Sequence, residues 1–208
     1  MVLLKPTWAI VPAKSLMRGK SRLRPILADD ERARFARDLL EHVLDVLATC
    51  ELDGILVATD GDDVEELASR RGACVRRDGG HGPLAAVVND ALADSSRRGA
   101  LAAIVLMADL PRIQPNDVDD LLAALVDHDI AIVRDHFGSH TNALALAPPT
   151  ALATCFGRQD SFAAHCASAR AAKLRLRILE NERIAFDVDV PDDHAQLRSA
   201  LGPREVDI

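Results

Sequence analysis

Two hydrophobic rhythms alternate along this chain. In the first, nearly every position of a short run is apolar, as at residues 8–11, 55–58, 73–76, 103–107 and 130–133, and each run is bounded by Asp, Gly, Pro or charged residues. Such runs predict strands buried on both faces. In the second, apolar residues recur every third or fourth position. Residues 30–50 place Phe35, Leu39, Val43, Val46 and Leu47 on one stripe, with Asp29, Asp30 and Glu31 near the positive end of the helix dipole. Leu84, Val87, Val88, Ala91 and Leu92 repeat with helical spacing, as do Val118, Leu121, Leu122, Leu125 and Val126. After His140 the alternation loosens: 143–147 predicts a strand, 161–172 a helix, 174–178 and 184–188 strands, and 191–201 a closing helix. The whole pattern predicts an α/β fold with a mainly parallel sheet sandwiched by helices.

Length and composition narrow the picture. At 208 residues, 49% apolar and 27% charged, with no linker-like tract or repeat, the chain is expected to form a single domain over residues 1–208. A net charge of −7 argues against a polynucleotide partner. The cysteines Cys50, Cys74, Cys155 and Cys166 form no C-x-x-C pair and are too scattered for a disulfide framework or a zinc site. Lys5 and Pro6 interrupt the apolar start, and no run of eighteen apolar residues occurs, so a cytoplasmic location without membrane association is expected.

In open α/β sheets ligands bind beyond the carboxyl ends of the strands, so the loops after the strands are where chemistry is sought. The loop after the first strand, VPAKSLMRGKSRLRPIL, gathers Lys14, Arg18, Lys20, Arg22 and Arg24, cations suited to a triphosphate. A solvated charged surface is the competing reading of that loop. It lacks G-x-x-x-x-G-K-[ST] and G-x-G-x-x-G, which excludes a P-loop and the usual dinucleotide fingerprint. The fourth strand runs into MADLP, so Asp109 emerges at the sheet edge. Near the C-terminus FDVDVP carries Asp187 and Asp189 two apart, which turns both carboxylates to one face of an extended segment. Three such carboxylates suit Mg2+, which takes a few oxygen ligands and completes its shell with water and phosphate. Gly79, Gly80 and Gly82 precede a helix and permit close approach of a base or phosphate. Thr141 and Asn142 open a strand, and Gly157 and Ser161 precede a helix, where hydroxyls and amides suit a second anion or merely cap the elements.

Read together and in order, VPAK…GKSRL, MADLP, HTNALAL, FGRQDSF and FDVDVP resemble the 2-phospho-L-lactate guanylyltransferase (CofC) family over nearly the whole chain. The resemblance implies a nucleotidyltransferase-type, Rossmann-like fold and transfer of GMP from GTP to a small phosphorylated carboxylic acid (2-phospho-L-lactate, phosphoenolpyruvate or 3-phospho-D-glycerate), in biosynthesis of the deazaflavin coenzyme factor 420. It implies Mg2+ held by Asp109, Asp187 and Asp189, and catalytic roles for Asp109, Lys14 and Lys20. It also implies nucleotide contacts from Lys14, Lys20, Arg22 and Gly82, and an acceptor site at Thr141, Asn142, Gly157 and Ser161. His140, where relatives commonly carry glycine, and the lengthened loop through Arg158, Gln159 and Asp160 are expected to tune the choice of acceptor. Two rival readings remain, a guanylyl- or cytidylyltransferase using another phosphorylated acceptor and a non-catalytic GTP-binding protein on the same fold. Homodimerisation is left open.

Overall fold

A computed structural model describes residues 5–80 and 82–201. The first four residues of the apolar start, and His81 of the glycine-rich segment, lie outside the described residues. Strands β1 (Thr7–Pro12), β2 (Gly54–Thr59), β3 (Cys74–Arg77), β4 (Ala102–Leu106), β5 (Ile130–Arg134), β6 (Thr141–Leu146) and β7 (Leu176–Ile178) form one sheet in the order β3-β2-β1-β4-β6-β5-β7. Every pairing is parallel except those of β6, which runs antiparallel to β4 and β5. This reversal carries the start of β6, at Thr141, to the edge where β1 and β4 end.

Helices α1 (Asp29–Ala48), α2 (Asp62–Arg70), α3 (Leu84–Arg97), α4 (Pro115–Ala124), α5 (Ser161–Ala171), α6 (Glu182–Ala185) and α7 (Pro191–Leu201) complete the chain. The period of two in the strands sorts side chains between two cores. Ala9, Val11, Ile104, Leu106, Ala143 and Ala145 pack against the stripes of α1, α2 and α4, while Ile10, Ala103, Val105, Leu144 and Leu146 face α3 and α5. Both faces are therefore covered, as the continuous apolar runs require. Helix α1 starts where its sequence says it should: the Ala28 N–H donates to Glu31 Oε2 at 2.7 Å, satisfying one of the first-turn donors.

One expectation is corrected and one element is added. Residues 184–188 do not form a strand. Asn181 Oδ1 accepts from the N–H groups of Arg183 and Ile184, and Asn181 and Arg183 both donate to the buried Asp117 carboxylate of α4. These caps favour the single turn of α6, and the chain then continues extended but unpaired through Phe186 to Asp189. Helix α2 was not predicted; its apolar face is only Val64, Leu67 and Ala68, too short a repeat to stand out.

A third, small core bears directly on function. Leu23, from the basic loop, packs with Phe186, Val188 and Leu197. Burying Leu23 contributes about 2 kcal/mol, and it fastens the loop after β1 to the segment that carries Asp187 and Asp189.

Candidate active site at the carboxyl ends of β1 and β4

The loop after β1 is built from two single 3-10 turns, Leu16–Arg18 and Ser21–Leu23, joined at Gly19 and Lys20. Three contacts from outside fix its path. Asp60 and Asp63, at the end of β2 and the start of α2, accept from the backbone N–H groups of Ser15 and Leu16, and the buried Arg32 of α1 donates to the Gly19 carbonyl at 2.7 Å. Lys20 adopts the left-handed conformation at φ 51°, an uncommon choice for a residue with a Cβ.

Asp109, Asp187 and Asp189 converge there, with one carboxylate oxygen from each lying within 4.8 Å of the others. The period-of-two expectation holds locally although no strand forms: Phe186 and Val188 are buried while Asp187 and Asp189 face the cluster. Lys20 Nζ donates to Asp109 Oδ2 at 2.5 Å and to Asp189 Oδ1 at 3.2 Å, and Arg22 reaches Asp189 Oδ2 at 3.0 Å. Burial pulls the Lys20 ammonium down, but the charges of Asp109 and Asp189 outweigh it and leave its pKa above the ordinary lysine value. Asp187 has no such partner. Burial, then the negative charges of Asp109 and Asp189, push its carboxyl up to about 6.

Asp187 and Asp189 are held from behind. Asn142 Nδ2 donates to Asp187 Oδ1 at 3.1 Å and to the carbonyls of Ile184 and Ala185. The Asp193 carboxylate in the first turn of α7 accepts from the N–H groups of Asp189 and Val190. The His136 ring stands between them, 3.4 Å from Asp187 Oδ1 and 3.2 Å from Asp193 Oδ1. Sequence reasoning missed Arg32, His136 and Asp193; His136 acts through contacts with a segment some fifty residues away in the chain. Asp193 alone carried a local signal, an acid in the first turn of a helix that begins with Pro191.

Beside the carboxylates opens a cleft of about 340 Å³, lined by Lys14, Gly19, Lys20, Arg22, Asp109 and Asp189 among others. A second recess of about 180 Å³ adjoins it and is lined by Asp60, Asp78, Gly80, Gly82 and Leu84. Lys14 is exposed, lines both, and has no ion-pair partner among the described residues.

Thr141 and Ser161 come together at the neighbouring strand end, and Gly157 lies in the loop that leads into α5. The Thr141 N–H donates to Ser161 Oγ at 3.1 Å, and both residues are 2% exposed. Gly157 has φ +85°, and a Cβ there would meet the Leu84 Cβ at 3.1 Å, so glycine satisfies both the turn and the packing. Beneath them lies His165, 1% exposed, whose imidazole burial pushes down to about 4. The Cys155 N–H donates to its Nε2 at 2.7 Å, which leaves the proton on Nδ1, 3.0 Å from Thr141 Oγ1. Asn142 departs from this group, since its amide is spent on Asp187 and the α6 carbonyls. His140 and the lengthened loop are locally engaged: the His140 Nδ1 lies 3.2 Å from Asp135 Oδ2, and Arg158 pairs with Asp160 at 2.8 Å.

The same arrangement of elements is found in known proteins. A Desulfovibrio desulfuricans G20 protein described as a candidate nucleotide-diphospho-sugar transferase superposes with a TM-score of 0.81 at 17% identity, covering 96% of this chain and 89% of that one. A CMP:2-keto-3-deoxy-manno-octonic acid synthetase complexed with CTP superposes at 0.66 with 16% identity, covering 95% and 98%. The fold is thus of the nucleotidyltransferase type. At the level of sequence, the chain is 40% identical over 196 residues to the phosphoenolpyruvate guanylyltransferase of Sphaerobacter thermophilus, with 92% of each chain covered. Residues 7–198 match the family described as guanylyl transferase CofC like, and the chain belongs to that family.

Proposed function

We propose that this chain is a Mg2+-dependent guanylyltransferase of the cytoplasm, acting as a single domain over residues 1–208. It transfers GMP from GTP to a small phosphorylated three-carbon acid and releases pyrophosphate, in biosynthesis of the deazaflavin coenzyme factor 420. Phosphoenolpyruvate is the expected acceptor, on the strength of the Sphaerobacter thermophilus relative. The observation that carries this reading is the convergence of Asp109, Asp187 and Asp189 with Lys20 and Arg22, next to a cleft that exposes Lys14.

The carboxylates fit the ion. All three donors are hard oxygens, as Mg2+ prefers over nitrogen or sulfur, and one oxygen from each lies within 4.8 Å of the others. When bound, Mg2+ would orient the triphosphate and offset the charge on its oxygens. In the reaction, an oxygen of the acceptor phosphate attacks the α-phosphorus of GTP. A new P–O bond forms there as the bond to the oxygen bridging the α- and β-phosphates breaks, and pyrophosphate departs. The attacking oxygen is already anionic, so the chain supplies position and charge and no general base is required.

Lys14, with its unpaired ammonium, is the first contact for the nucleotide phosphates, joined by Lys20 and Arg22. Asp109 and the two lysines thus carry the electrostatic work of the transfer. Gly82, lining the second recess, leaves room for the base. On the acceptor side, Thr141 Oγ1 lies 3.0 Å from His165 Nδ1 and Ser161 Oγ accepts from Thr141 N–H, so the Ser161 hydroxyl keeps its own proton to donate to a phosphate oxygen. Gly157 completes that group, while Asn142 serves it indirectly by orienting Asp187.

Pyrophosphate release measured with GTP, Mg2+ and phosphoenolpyruvate, 2-phospho-L-lactate or 3-phospho-D-glycerate tests the proposal. Turnover with at least one acid, fastest with phosphoenolpyruvate, is expected. No release with any of the three would remove the proposed function.

A further inference from the structure

Lys20 differs from every other cation of the basic loop. Arg18, Arg22 and Lys14 are largely exposed, but the Lys20 side chain is 8% exposed and its ammonium touches two of the three clustered carboxylates. It occupies the position where a cation shared by Asp109 and Asp189 would stand. We propose that Lys20 is a resident counter-ion of this cluster, exchanged for the divalent ion when a nucleoside triphosphate binds, so that metal and nucleotide binding are coupled through this one side chain. This rests on the guanylyltransferase reading above.

The argument is electrostatic and geometric. Asp109 Oδ2 and Asp189 Oδ1 are the oxygens held by Lys20, and Asp189 Oδ2 is held by Arg22. A divalent ion bound by the same carboxylates would lie within a few ångströms of the ammonium, where two cations repel. Metal entry therefore favours withdrawal of Lys20. Withdrawal within its mostly buried setting would leave the ammonium without a partner, whereas withdrawal into the adjoining cleft, which Lys20 itself lines with Lys14 and Arg22, offers it the anionic oxygens of a triphosphate. The anchor allows the swing. Lys20 lies between two one-turn 3-10 segments, with Gly19 pinned by Arg32 and Leu23 buried, so the four-carbon stem can rotate while the loop stays in place. Before exchange, Lys20 offsets part of the repulsion among three partly exposed carboxylates; after it, the divalent ion does so. Because the effect is a linkage, nucleotide should tighten the metal by the same factor as metal tightens nucleotide.

The test is Mn2+ binding to the full-length protein without nucleotide, followed by paramagnetic resonance of the free ion, in wild type, Lys20→Met and Lys20→Met with Asp187→Asn. Exchange predicts that Lys20→Met binds Mn2+ about tenfold more tightly than wild type, and that a non-hydrolysable GTP analogue tightens Mn2+ less in the variant than in wild type. Unchanged or weaker Mn2+ binding in Lys20→Met, with the ion still lost on adding Asp187→Asn, would overturn the exchange and leave the metal assignment standing. Binding indifferent to Asp187→Asn would instead overturn the metal assignment, and the exchange with it. Should Lys20→Met not fold, wild type carries the test through the 15N resonance of the Lys20 ammonium. Exchange predicts that it shifts when Mg2+ and the analogue are added together; a resonance that stays at its metal-free position overturns it.

Discussion

Two buried polar groups lie at neighbouring strand ends, and they are built on opposite principles. Around His165 everything is neutral: Cys155 N–H donates to Nε2, Thr141 Oγ1 lies 3.0 Å from Nδ1, Thr141 N–H donates to Ser161 Oγ, and burial moves the imidazole to about 4. Around Asp187 charge is left over. Three carboxylates share the positive charge of Lys20 and Arg22, and Asp187, which neither cation touches, is driven up to about 6. A pKa displaced by desolvation inside a satisfied network marks a structural residue. One raised by burial together with the charges of two neighbouring carboxylates that line a cleft marks a candidate ligand site.

The largest effect that separates the two groups should come from Asp187→Asn. Turnover is expected to fall about a hundredfold or more, close to 3 kcal/mol of transition-state stabilisation. The metal-free protein should meanwhile become more stable at neutral pH by on the order of 2 kcal/mol, because a crowded charge is removed. Steady-state kinetics and denaturant titration without metal check both halves, and a loss of stability would place Asp187 in the satisfied class with His165.

The pH dependence of stability should then divide in two. Asp187 binds its proton more tightly in the folded state, so its contribution is present below the unfolded value near 3.8 and is lost as pH rises through about 6. His165 binds its proton less tightly when folded, so its contribution is present above the unfolded value near 6.5 and is lost as pH falls toward about 4. Between these limits the two slopes oppose each other. Relative to wild type, Asp187→Asn should therefore gain stability as pH rises from 4 to 6, and His165→Leu should lose it, each by on the order of 2 kcal/mol across the window. Urea titrations of the metal-free proteins at pH 4, 5 and 6 give the slopes; parallel curves for the two variants would refute the assignment of causes.

A smaller effect should follow from His136→Ala, which removes the ring between Asp187 and Asp193. Loss of such a supporting contact typically costs about tenfold in metal affinity, so Mn2+ binding should weaken by that factor with little change in thermal stability. Unchanged affinity would confine His136 to packing against Phe137 and Phe186.

How much of this was legible in the sequence follows from the range of the forces involved. The strands and the long helices declared themselves because periods of two and 3.6 are local and repeat over many residues. Asp109 could be placed because a carboxylate directly after a buried run must emerge at the sheet edge, and Asp187 with Asp189 because spacing fixes their common face. Sequence could not show that Asn181 and Arg183 bind Asp117 and so coil 182–185 into α6, since that contact spans more than sixty residues. A similar limit hid His136, whose partners Asp187 and Asp193 lie some fifty residues away. Nor could the loop sequence tell Lys14 from Lys20, two lysines of one basic stretch, of which one ends exposed and unpaired and the other buried between carboxylates.

The central claim is that this strand edge joins two phosphates. Phosphorus-31 resonance of the protein with GTP, phosphoenolpyruvate and Mg2+ tests it most directly. The account predicts that the γ- and β-phosphate signals of GTP give way to free pyrophosphate while a new pair of coupled diphosphate signals appears, and that Asp187→Asn abolishes both changes. GTP that stays intact with phosphoenolpyruvate and with each of the other two acids would contradict it.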